Sequence, residues 1–451
     1  MCDTVKCQLS ILTGPDLENL THTLIGLAAG ESFARCTRGT EAGLPQAARR
    51  TLFVVLAAIG GNAPDVDLSW SYAASDRRLG YMLEHRGYTH TVLGCLVLAG
   101  LLYAGAEWWM RSRRLMPCAR DRFHLALVAA FGTLLHLGMD TLNSYGVHPF
   151  WPFDSRWFYG DSIFIAEPLF WLASAPLVFV VRSWPARILM SLVVLVAVAA
   201  AVWLHRGELI TDLAIVVVTL GLLVVGRRAS PRAAALTSTA AMVLITGISV
   251  ACGAVAAARM EVLANSSFRR YHTLDHILTP TPTYPLCWEV LLLQTRGDLY
   301  TVRHGLFSVA PGFVPVNRCP LVFPLRPPRS SSRAAVGTSA DPATSRRLPP
   351  PPPHATPVSA PDSAAIVWFG EYSMSKSQLR RLVHDNCKAA SLMQFARAPF
   401  AFQYGRAWYL GDLRFADGAG FQIEVNGPAT CSIHVPWIPP RADDLLRPRA
   451  H

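Results

Sequence analysis

Long apolar blocks of helical length dominate the first half of the chain. They cover Leu20–Phe33, Thr51–Asn62, Thr91–Met110, Phe123–Leu142, Ile163–Val181, Pro185–Leu204, Leu209–Gly226 and Ala235–Ala258. A helix needs about 20 residues to cross a bilayer, with a usual range of about 17 to 25, and the last six blocks reach that length. The first two are shorter and carry polar residues, so we interpret them as half-buried or tilted helices. The pattern predicts a mainly α fold, a polytopic helical bundle of about seven or eight membrane helices.

The composition supports a membrane protein and excludes several other classes. Only 16% of the residues are charged and 51% are hydrophobic, whereas a soluble domain has about 25% charged residues. An ordinary soluble enzyme and a disordered regulator are therefore excluded. The net charge of +11 comes from 41 Lys and Arg against 30 Asp and Glu. In a membrane protein such an excess marks cytoplasmic loops. We therefore expect the lipid bilayer, and no nucleic acid, as a partner.

The arginines predict the orientation, because short loops rich in Arg and Lys remain cytoplasmic. Three loops carry them, and alternating the six long blocks places all three on one face: Arg111–Arg122, Arg182–Arg187 and Arg227–Arg232. The opposite face then holds residues 62–90, 143–161 and 205–208 and everything after Ala258. We expect a multi-pass protein of a bacterial inner membrane with this opposite face in the periplasm.

The pattern changes after the last apolar block. Residues 1–17 form an N-terminal extension and 18–259 the helical membrane domain. Residues 260–324 contain short strand-like runs and predict a β-rich, soluble periplasmic domain. Residues 325–361 are a proline-rich linker with five consecutive prolines, and 362–451 form an α/β segment. Within that segment we predict a helix over Ser375–Ala396 and strands over Phe400–Leu413 and Gly420–Val425.

The ten cysteines include no C-x-x-C pair, which argues against a zinc ribbon or a thioredoxin-type site. Cys287, Cys319, Cys387 and Cys431 lie in the polar C-terminal part. They could form up to two disulfides if that part is outside the cytosol.

Ionisable residues crowd the predicted outer ends of the helices. A charged side chain within a membrane segment costs at least about 2.5 to 3.5 kcal/mol, so each such residue is a functional candidate. Asp65 and Asp67 follow Pro64 at the end of the second block, where a bent backbone could converge both carboxylates on a cation. His85 and His90 flank a glycine, which permits a turn that brings both imidazoles to one centre. Taken alone, each motif also fits a polar loop.

Further candidates lie on or near the helices. His136 and Asp140, four residues apart, share one helical face, and Glu18 and His22 repeat that spacing. Asp161 is predicted as the N-cap of the next span, with a catalytic role as the second reading. Glu167, about two turns into that span, is either a catalytic carboxylate or a structural hydrogen-bond partner.

Seven of these side chains map to one membrane face, and a shared metal centre explains the coincidence: His22, Asp65, Asp67, His85, His90, His136 and Asp140. Mixed imidazole and carboxylate ligands favour one or two ions of Zn, Mn or Fe. Such an ion lowers the pKa of a coordinated water and polarises an ester or phosphoryl oxygen, which favours hydrolysis.

The motifs Asn19-Leu20-Thr21-His22, Pro64-Asp65-Val66-Asp67, His85–His90 and His136–Asp140 with Asn143–Gly146 resemble those of the bacterial inner-membrane metal-dependent hydrolases, the LexA-regulated hydrolase type. The resemblance covers roughly residues 18–260. It implies an inner-membrane helical protein, metal-dependent hydrolysis, and the seven residues above as ligands. Residues 1–16, the linker and the last segment depart from the family pattern, so nothing is transferred to them.

The leading hypothesis is therefore a metal-dependent hydrolase acting at the periplasmic membrane face. Its expected substrate is hydrophobic or lipid-linked, a phosphoester or ester of a lipid or envelope precursor. Two alternatives stay open: an ion- or proton-coupled transporter, and a non-catalytic membrane scaffold. Only the hydrolase predicts both bound metal and turnover of a chromogenic phosphoester.

Overall fold

A computed structural model describes residues 15–39, 41, 43–71, 77–205, 209–320, 355–358, 360, 362–415, 421–425 and 435–447. The chain divides into two units. The helical unit consists of Met1–Leu68, Arg86–Val255 and Thr279–Cys287, and the sheet unit consists of Ser69–His85, Ala256–Leu278 and Trp288–His451.

The α-helices are α1 Pro15–Cys36, α2 Gln46–Gly60, α3 Leu68–Ser71, α4 Arg77–Glu84, α5 Val92–Ser112, α6 Ala119–Thr141, α7 Pro168–Ala173, α8 Trp184–His205, α9 Leu209–Arg228, α10 Pro231–Ser267, α11 Lys376–Asp385 and α12 Cys387–Met393. Short 3₁₀ helices at Ala63–Asp67, Tyr88–His90 and Ala175–Phe179 connect some of them.

Within the described residues, α5, α6, α8, α9 and α10 are long and apolar enough to cross a membrane. A sixth span results if α2 and Ala63–Ser71, which meet at a bend of 53°, are counted as one broken helix. The multi-pass helical fold is thus confirmed, and the predicted count of seven or eight spans is not.

The predicted span Ile163–Val181 is the clearest difference. Its helical part is only α7 and the 3₁₀ turn Ala175–Phe179, each with a proline in its first turn. Phe170 and Trp171 are buried, so this stretch is apolar because it packs within the helical unit. The first predicted block is part of α1, which contains Glu18 and Glu31 and packs closely on α2.

The core of the helical unit lies where α2, α5 and α6 meet. Phe53 and Leu56 of α2 pack with Met110 of α5 and with Leu125 and Val128 of α6. Nearer the ends of α2 and α6, a Cβ atom on Gly60 would lie 3.1 Å from the Cα atom of Gly132. Two glycines therefore permit α2 and α6 to approach closely at the level where α2 ends.

The sheet unit contains two sheets. The first has the order β1 His272–Thr281, β2 Tyr284–Arg296, β3 Leu299–Ser308 and β4 Ile366–Ser375, and the second has the order β5 Pro399–Tyr404, β6 Ala407–Asp412 and β7 Gln422–Val425. β3 and β4 are antiparallel, with Leu299 opposite Ser375 and a register shift at His304/Gly305. The tip of the β1–β2 hairpin is counted with the helical unit.

Several boundaries differ from the prediction. α10 continues through the expected domain border at residue 260, and β4 from the last segment completes the sheet begun before the linker. The predicted helix Ser375–Ala396 is two helices, because Asn386 is extended and its side chain caps α12. The strands expected over 400–413 and 420–425 are present as β5, β6 and β7. The predicted linker lies outside the described residues except for 355–358 and 360.

The cysteines divide into two classes. Cys287, Cys319 and Cys387 are disulfide-bonded, as expected for the polar part of the chain. Cys431 lies outside the described residues. In the described part of the chain, Cys36, Cys95, Cys118 and Cys252 form no disulfide.

Candidate metal centre

The break after α2 supplies the first carboxylates of the site. α2 ends at Gly60, and the following 3₁₀ turn carries Asp65 and Asp67. The Asn62 side chain fixes the break by donating to the carbonyl oxygen of Ala58 at 2.8 Å and to the hydroxyl of Thr23 at 2.9 Å. Pro64 removes a backbone donor at the same point.

The segment before α5 supplies His90, whose Nδ1 atom faces the Asp67 carboxylate. Oδ2 of Asp67 accepts hydrogen bonds from the backbone N–H of Arg86 at 2.9 Å and from the hydroxyl of Thr89 at 2.7 Å. The same oxygen lies 3.1 Å from Nδ1 of His90. Asp67 is therefore the acceptor that orients the His90 ring and leaves its Nε2 atom facing the other side chains.

α6 supplies a second oriented histidine. Nδ1 of His136 lies 2.7 Å from the carbonyl oxygen of Gly61. Because a carbonyl oxygen can only accept, Nδ1 carries the hydrogen and the Nε2 atom of a neutral ring holds a lone pair. That Nε2 atom lies 3.1 Å from Nε2 of His90.

Asp140, one turn after His136, lies among three imidazoles. Its Oδ1 is 3.3 Å from Nε2 of His22, and its Oδ2 is 3.2 Å from Nε2 of His90 and 3.3 Å from Nε2 of His136. Asp140 is 1% exposed, and neither oxygen has a hydrogen-bond partner among the described residues. Oδ1 of Asp65 completes the group, 3.2 Å from His90 and 3.5 Å from His136.

The spacing of these atoms fits ligation of a metal. Ions such as Zn²⁺ bind imidazole and carboxylate at about 2.0 to 2.2 Å, so ligands of one ion are separated by roughly 3 to 3.6 Å. The measured separations between Asp65, His90, His136 and Asp140 are 3.1 to 3.5 Å. Within the described residues of the helical unit, two overlapping groups meet the geometric requirement of a shared ion: His22, His136 and Asp140, and Asp65, His90 and His136.

Arg86 and Glu18 border the group, and neither belongs to the seven residues predicted as ligands. The Arg86 guanidinium binds the Glu18 carboxylate, donates to Oδ1 of Asn143 at 2.9 Å and lies 3.3 Å from Asp140. It also stacks 4.5 Å above the Tyr145 ring. One signal in the sequence could have identified Arg86: it lies between His85 and His90, two of the residues predicted as ligands.

The charges of the site are unbalanced. Four buried or nearly buried carboxylates lie around the Arg86 guanidinium, so three formal negative charges remain when all four are ionised and the histidines are neutral. Burial alone would lower the pKa of His90, but the carboxylates of Asp67, Asp140 and Asp65 raise it well above its ordinary value. The cluster therefore attracts a cation, either a proton or a metal ion.

His85 directly precedes Arg86 and is counted with the sheet unit. It is buried, and its ring stacks on Tyr81 with 5.1 Å between centroids. Its role as a ligand stays a prediction.

The two predicted catalytic carboxylates lie in the segment that leads to α7. Asp161 is not a helix N-cap, because α7 begins only at Pro168 and Asp161 has a left-handed φ of 45°. Glu167 is the N-cap instead: its carboxylate accepts from the backbone N–H of Leu169 at 3.1 Å and of Thr283 at 3.0 Å. Burial raises the pKa of Glu167 to about 7. Catalytic roles for Asp161 and Glu167 stay predictions.

The helical part of the chain is similar to a known protein family. Residues 17–209 match the family described as YdjM inner membrane protein, and this range contains every residue of the cluster. Together with the apolar helices, the match supports a multi-pass protein of a bacterial inner membrane that associates with the lipid bilayer. No curated protein and no solved structure matches the chain.

Proposed function

We propose that the protein is a metal-dependent hydrolase of the inner membrane. In this proposal a divalent ion, Zn, Mn or Fe, is held by imidazole and carboxylate atoms that converge at one end of the helical unit. The ligands are His22, Asp65, His90, His136 and Asp140. The number of ligands would be enough for one or two ions.

The observation that carries the proposal is the pair of facing imidazoles. Nε2 of His90 and Nε2 of His136 are 3.1 Å apart, while their Nδ1 atoms face the Asp67 carboxylate and the Gly61 carbonyl. Two neutral rings held in this way would direct lone pairs at each other in a buried, negatively charged place. A bound cation would remove that repulsion, and His90 and His136 would be among the residues that hold it.

Asp67 is better explained as an orienting residue than as a ligand. Its Oδ2 atom already has three neighbours with hydrogens to donate, on Arg86, Thr89 and His90. Carboxylates that hold the far nitrogen of a metal-binding imidazole are a common feature of metal sites. The carbonyl of Gly61 does the same for His136.

The chemistry follows from the ligand set. A divalent ion at this place supplies Lewis acidity toward an ester or phosphoryl oxygen. The residues of the chain keep the imidazoles in the required tautomers, and Arg86 offsets part of the carboxylate charge. The position of the cluster at the ends of α2 and α6 favours a phosphoester or ester of a lipid or envelope precursor.

The cysteines support a periplasmic location for the sheet unit. Disulfides form outside the reducing cytosol, and among the described residues Cys287, Cys319 and Cys387 are disulfide-bonded. Cys36 and Cys118, which form no disulfide, instead lie beside the arginines that indicate the cytoplasmic face. The metal cluster, at the other end of α6 from Cys118, then lies toward the periplasm.

Metal analysis and turnover of one matched pair of variants test the proposal. Asp140→Asn removes a ligand, whereas Asp121→Asn changes another buried aspartate of α6, which pairs with Arg49 at 3.3 Å. We expect the purified wild type and Asp121→Asn to contain a divalent metal and to hydrolyse p-nitrophenyl phosphate or its diester. Asp140→Asn should lose both. Bound metal without turnover of any ester would leave a metalloprotein and reject the hydrolase; equal metal content in both variants would reject the site.

A further inference from the structure

A short turn with exposed aromatic side chains lies beside the cluster in the helical unit. It consists of Pro149-Phe150-Trp151-Pro152-Phe153 and is named here the aromatic turn. Phe153 is 92% exposed and Phe150 is 50% exposed. Two exposed phenylalanines in one turn leave apolar surface in water, which is unfavourable.

The aromatic turn is held firmly, so its exposure is a property of the fold. The backbone N–H of Phe153 donates to the carbonyl of Phe150 at 2.9 Å, and the N–H of Val92 donates to the carbonyl of Pro149 at 2.8 Å. The Trp151 ring packs edge-on against Tyr88, with 4.9 Å between centroids. These contacts join the turn to the first residue of α5 and to the 3₁₀ helix that contains His90.

The surface next to the turn is apolar. α5 is a membrane span that begins at Val92, and its first turns expose Leu93, Leu96 and Val97 by 47 to 57%. Tyr88, 48% exposed, contacts Trp151 of the aromatic turn, and Val92 is hydrogen-bonded to Pro149. The aromatic turn is thus joined to the first residue of this apolar helix.

Charged residues follow directly. Asp154 and Arg156 form an ion pair at 2.7 Å, and the Arg156 side chain is 72% exposed. Aromatic residues followed by charged ones at the end of a span are typical of the lipid–water interface, where aromatic rings lie at the headgroup level.

We infer that the aromatic turn and Tyr88 are a lipid-contact surface that lies among phospholipid headgroups and upper acyl chains beside the His90 segment. The occupant is the phospholipid of the leaflet at this end of the spans. This assignment does not depend on hydrolysis: it follows from exposure, rigidity and continuity with α5.

Photo-crosslinking in the full-length protein tests the inference. p-Benzoylphenylalanine replaces Phe153, and in two controls it replaces Leu101, which lies in the middle of α5 and is 64% exposed, or Phe313, an 85% exposed aromatic of the sheet unit. Each protein is irradiated in nanodiscs of phosphatidylethanolamine and phosphatidylglycerol. Adducts are measured by mass spectrometry, with fragmentation to locate the linked lipid carbon.

We expect lipid adducts at position 153 in a yield comparable to that at 101 and several-fold above that at 313. The linked carbons should lie near the glycerol at 153 and deeper in the acyl chain at 101. The same adducts should form in Asp140→Asn, since metal and turnover are not required. Adducts at 101 with none at 153, or linkage of 153 to a second protein chain, would overturn the inference.

Discussion

The Nε2 atoms of His90 and His136 lie 3.1 Å apart, and the Nδ1 atom of each ring faces a fixed acceptor. Both acceptors belong to the short segment that follows α2. The Gly61 carbonyl is at its start, and the Asp67 carboxylate is at its end. Interrupting α2 therefore does more than supply ligands, because the same interruption selects the tautomers of two histidines on other elements. Non-helical backbone at membrane depth is tolerated where it lies within protein or lines a cavity.

Replacing His136 should remove the metal, and replacing His124 should not. Both lie on α6, but His124 is near Nη2 of Arg49 at 3.2 Å and the rings of Phe33 and Phe53. We expect His136→Ala to reduce the metal content of the purified protein by well over the 10- to 100-fold typical of orienting residues. His124→Ala should keep it. Equal loss in the two variants would show that a general defect in folding, and not ligation, removes the metal.

Metal affinity should rise with pH. The carboxylates around His90 raise its pKa well above its ordinary value of 6.5, so without metal a proton occupies the ring at neutral pH. The metal must displace that proton, and affinity should fall by up to about tenfold per unit as the pH drops below the raised pKa. Isothermal titration with Zn²⁺ or Mn²⁺ between pH 6 and 9 measures the slope. A metal affinity that stays the same from pH 6 to pH 9 would contradict competition between metal and proton.

The residues of the site could largely be predicted from the sequence, but their roles could not. His22, Asp65, His90, His136 and Asp140 stood out because ionisable groups are costly near membrane helices. The sequence does not show that Asp67 faces Nδ1 of His90, because that depends on how the 3₁₀ turn folds back. Pairing of Arg86 with Glu18, 68 positions apart, depends likewise on tertiary packing.

Asp67→Asn should weaken the metal site without abolishing it. The amide keeps the size of the side chain and one acceptor oxygen for Arg86, Thr89 and His90, but it loses the negative charge that holds the far nitrogen of His90. We expect metal affinity to fall by about 10- to 100-fold, a smaller loss than in Asp140→Asn. Competition with a chromogenic chelator measures both variants. If Asp67→Asn loses metal as completely as Asp140→Asn, then Asp67 is a ligand, as first predicted.

Glu167→Gln should stabilise the protein above neutral pH. The pKa of Glu167 rises from 4.5 to about 7 on burial, so the folded state binds the proton more tightly. The free energy of unfolding therefore falls as the pH rises from 4.5 to 7 and stays low above 7. The full effect is at most about 3 kcal/mol.

The glutamine amide in Glu167→Gln keeps an oxygen for the N–H of Leu169 or Thr283 and cannot ionise. The free energy of unfolding of this variant should therefore no longer fall between pH 4.5 and 7. Denaturation profiles in detergent at several pH values measure it, with Glu261→Gln as an exposed control. If Glu167 is catalytic, the same variant would in addition lose turnover, with metal content unchanged. An unaltered pH profile would show that the carboxyl group is not buried in the folded state.

The fold was predictable where periodicity and length decide it, and less so where partners are distant. The five long apolar helices follow from their composition, and β5 to β7 from alternating patterns near turns. The stretch 163–181 has the composition of a span, yet it is buried in the helical unit, and hydropathy does not distinguish protein from lipid surroundings. The pairing of β3 with β4 crosses the proline-rich segment and has no local signal.

Deleting Arg326–His451 should separate the metal site from the rest of the protein. Every proposed ligand lies in the helical unit, so the truncated protein should insert in the membrane and keep its metal content. The sheet unit should be destabilised, because the deletion removes β4, the antiparallel partner of β3 from Leu299 to Phe307. It also removes Glu371, the 2.9 Å partner of the buried Arg303. An uncompensated buried charge costs about 3 to 5 kcal/mol, so faster proteolysis within residues 268–320 is expected.

Metal stoichiometry and limited proteolysis measure the two outcomes separately. Loss of metal from a truncated protein whose helical unit resists proteolysis would show that the deleted part completes the site.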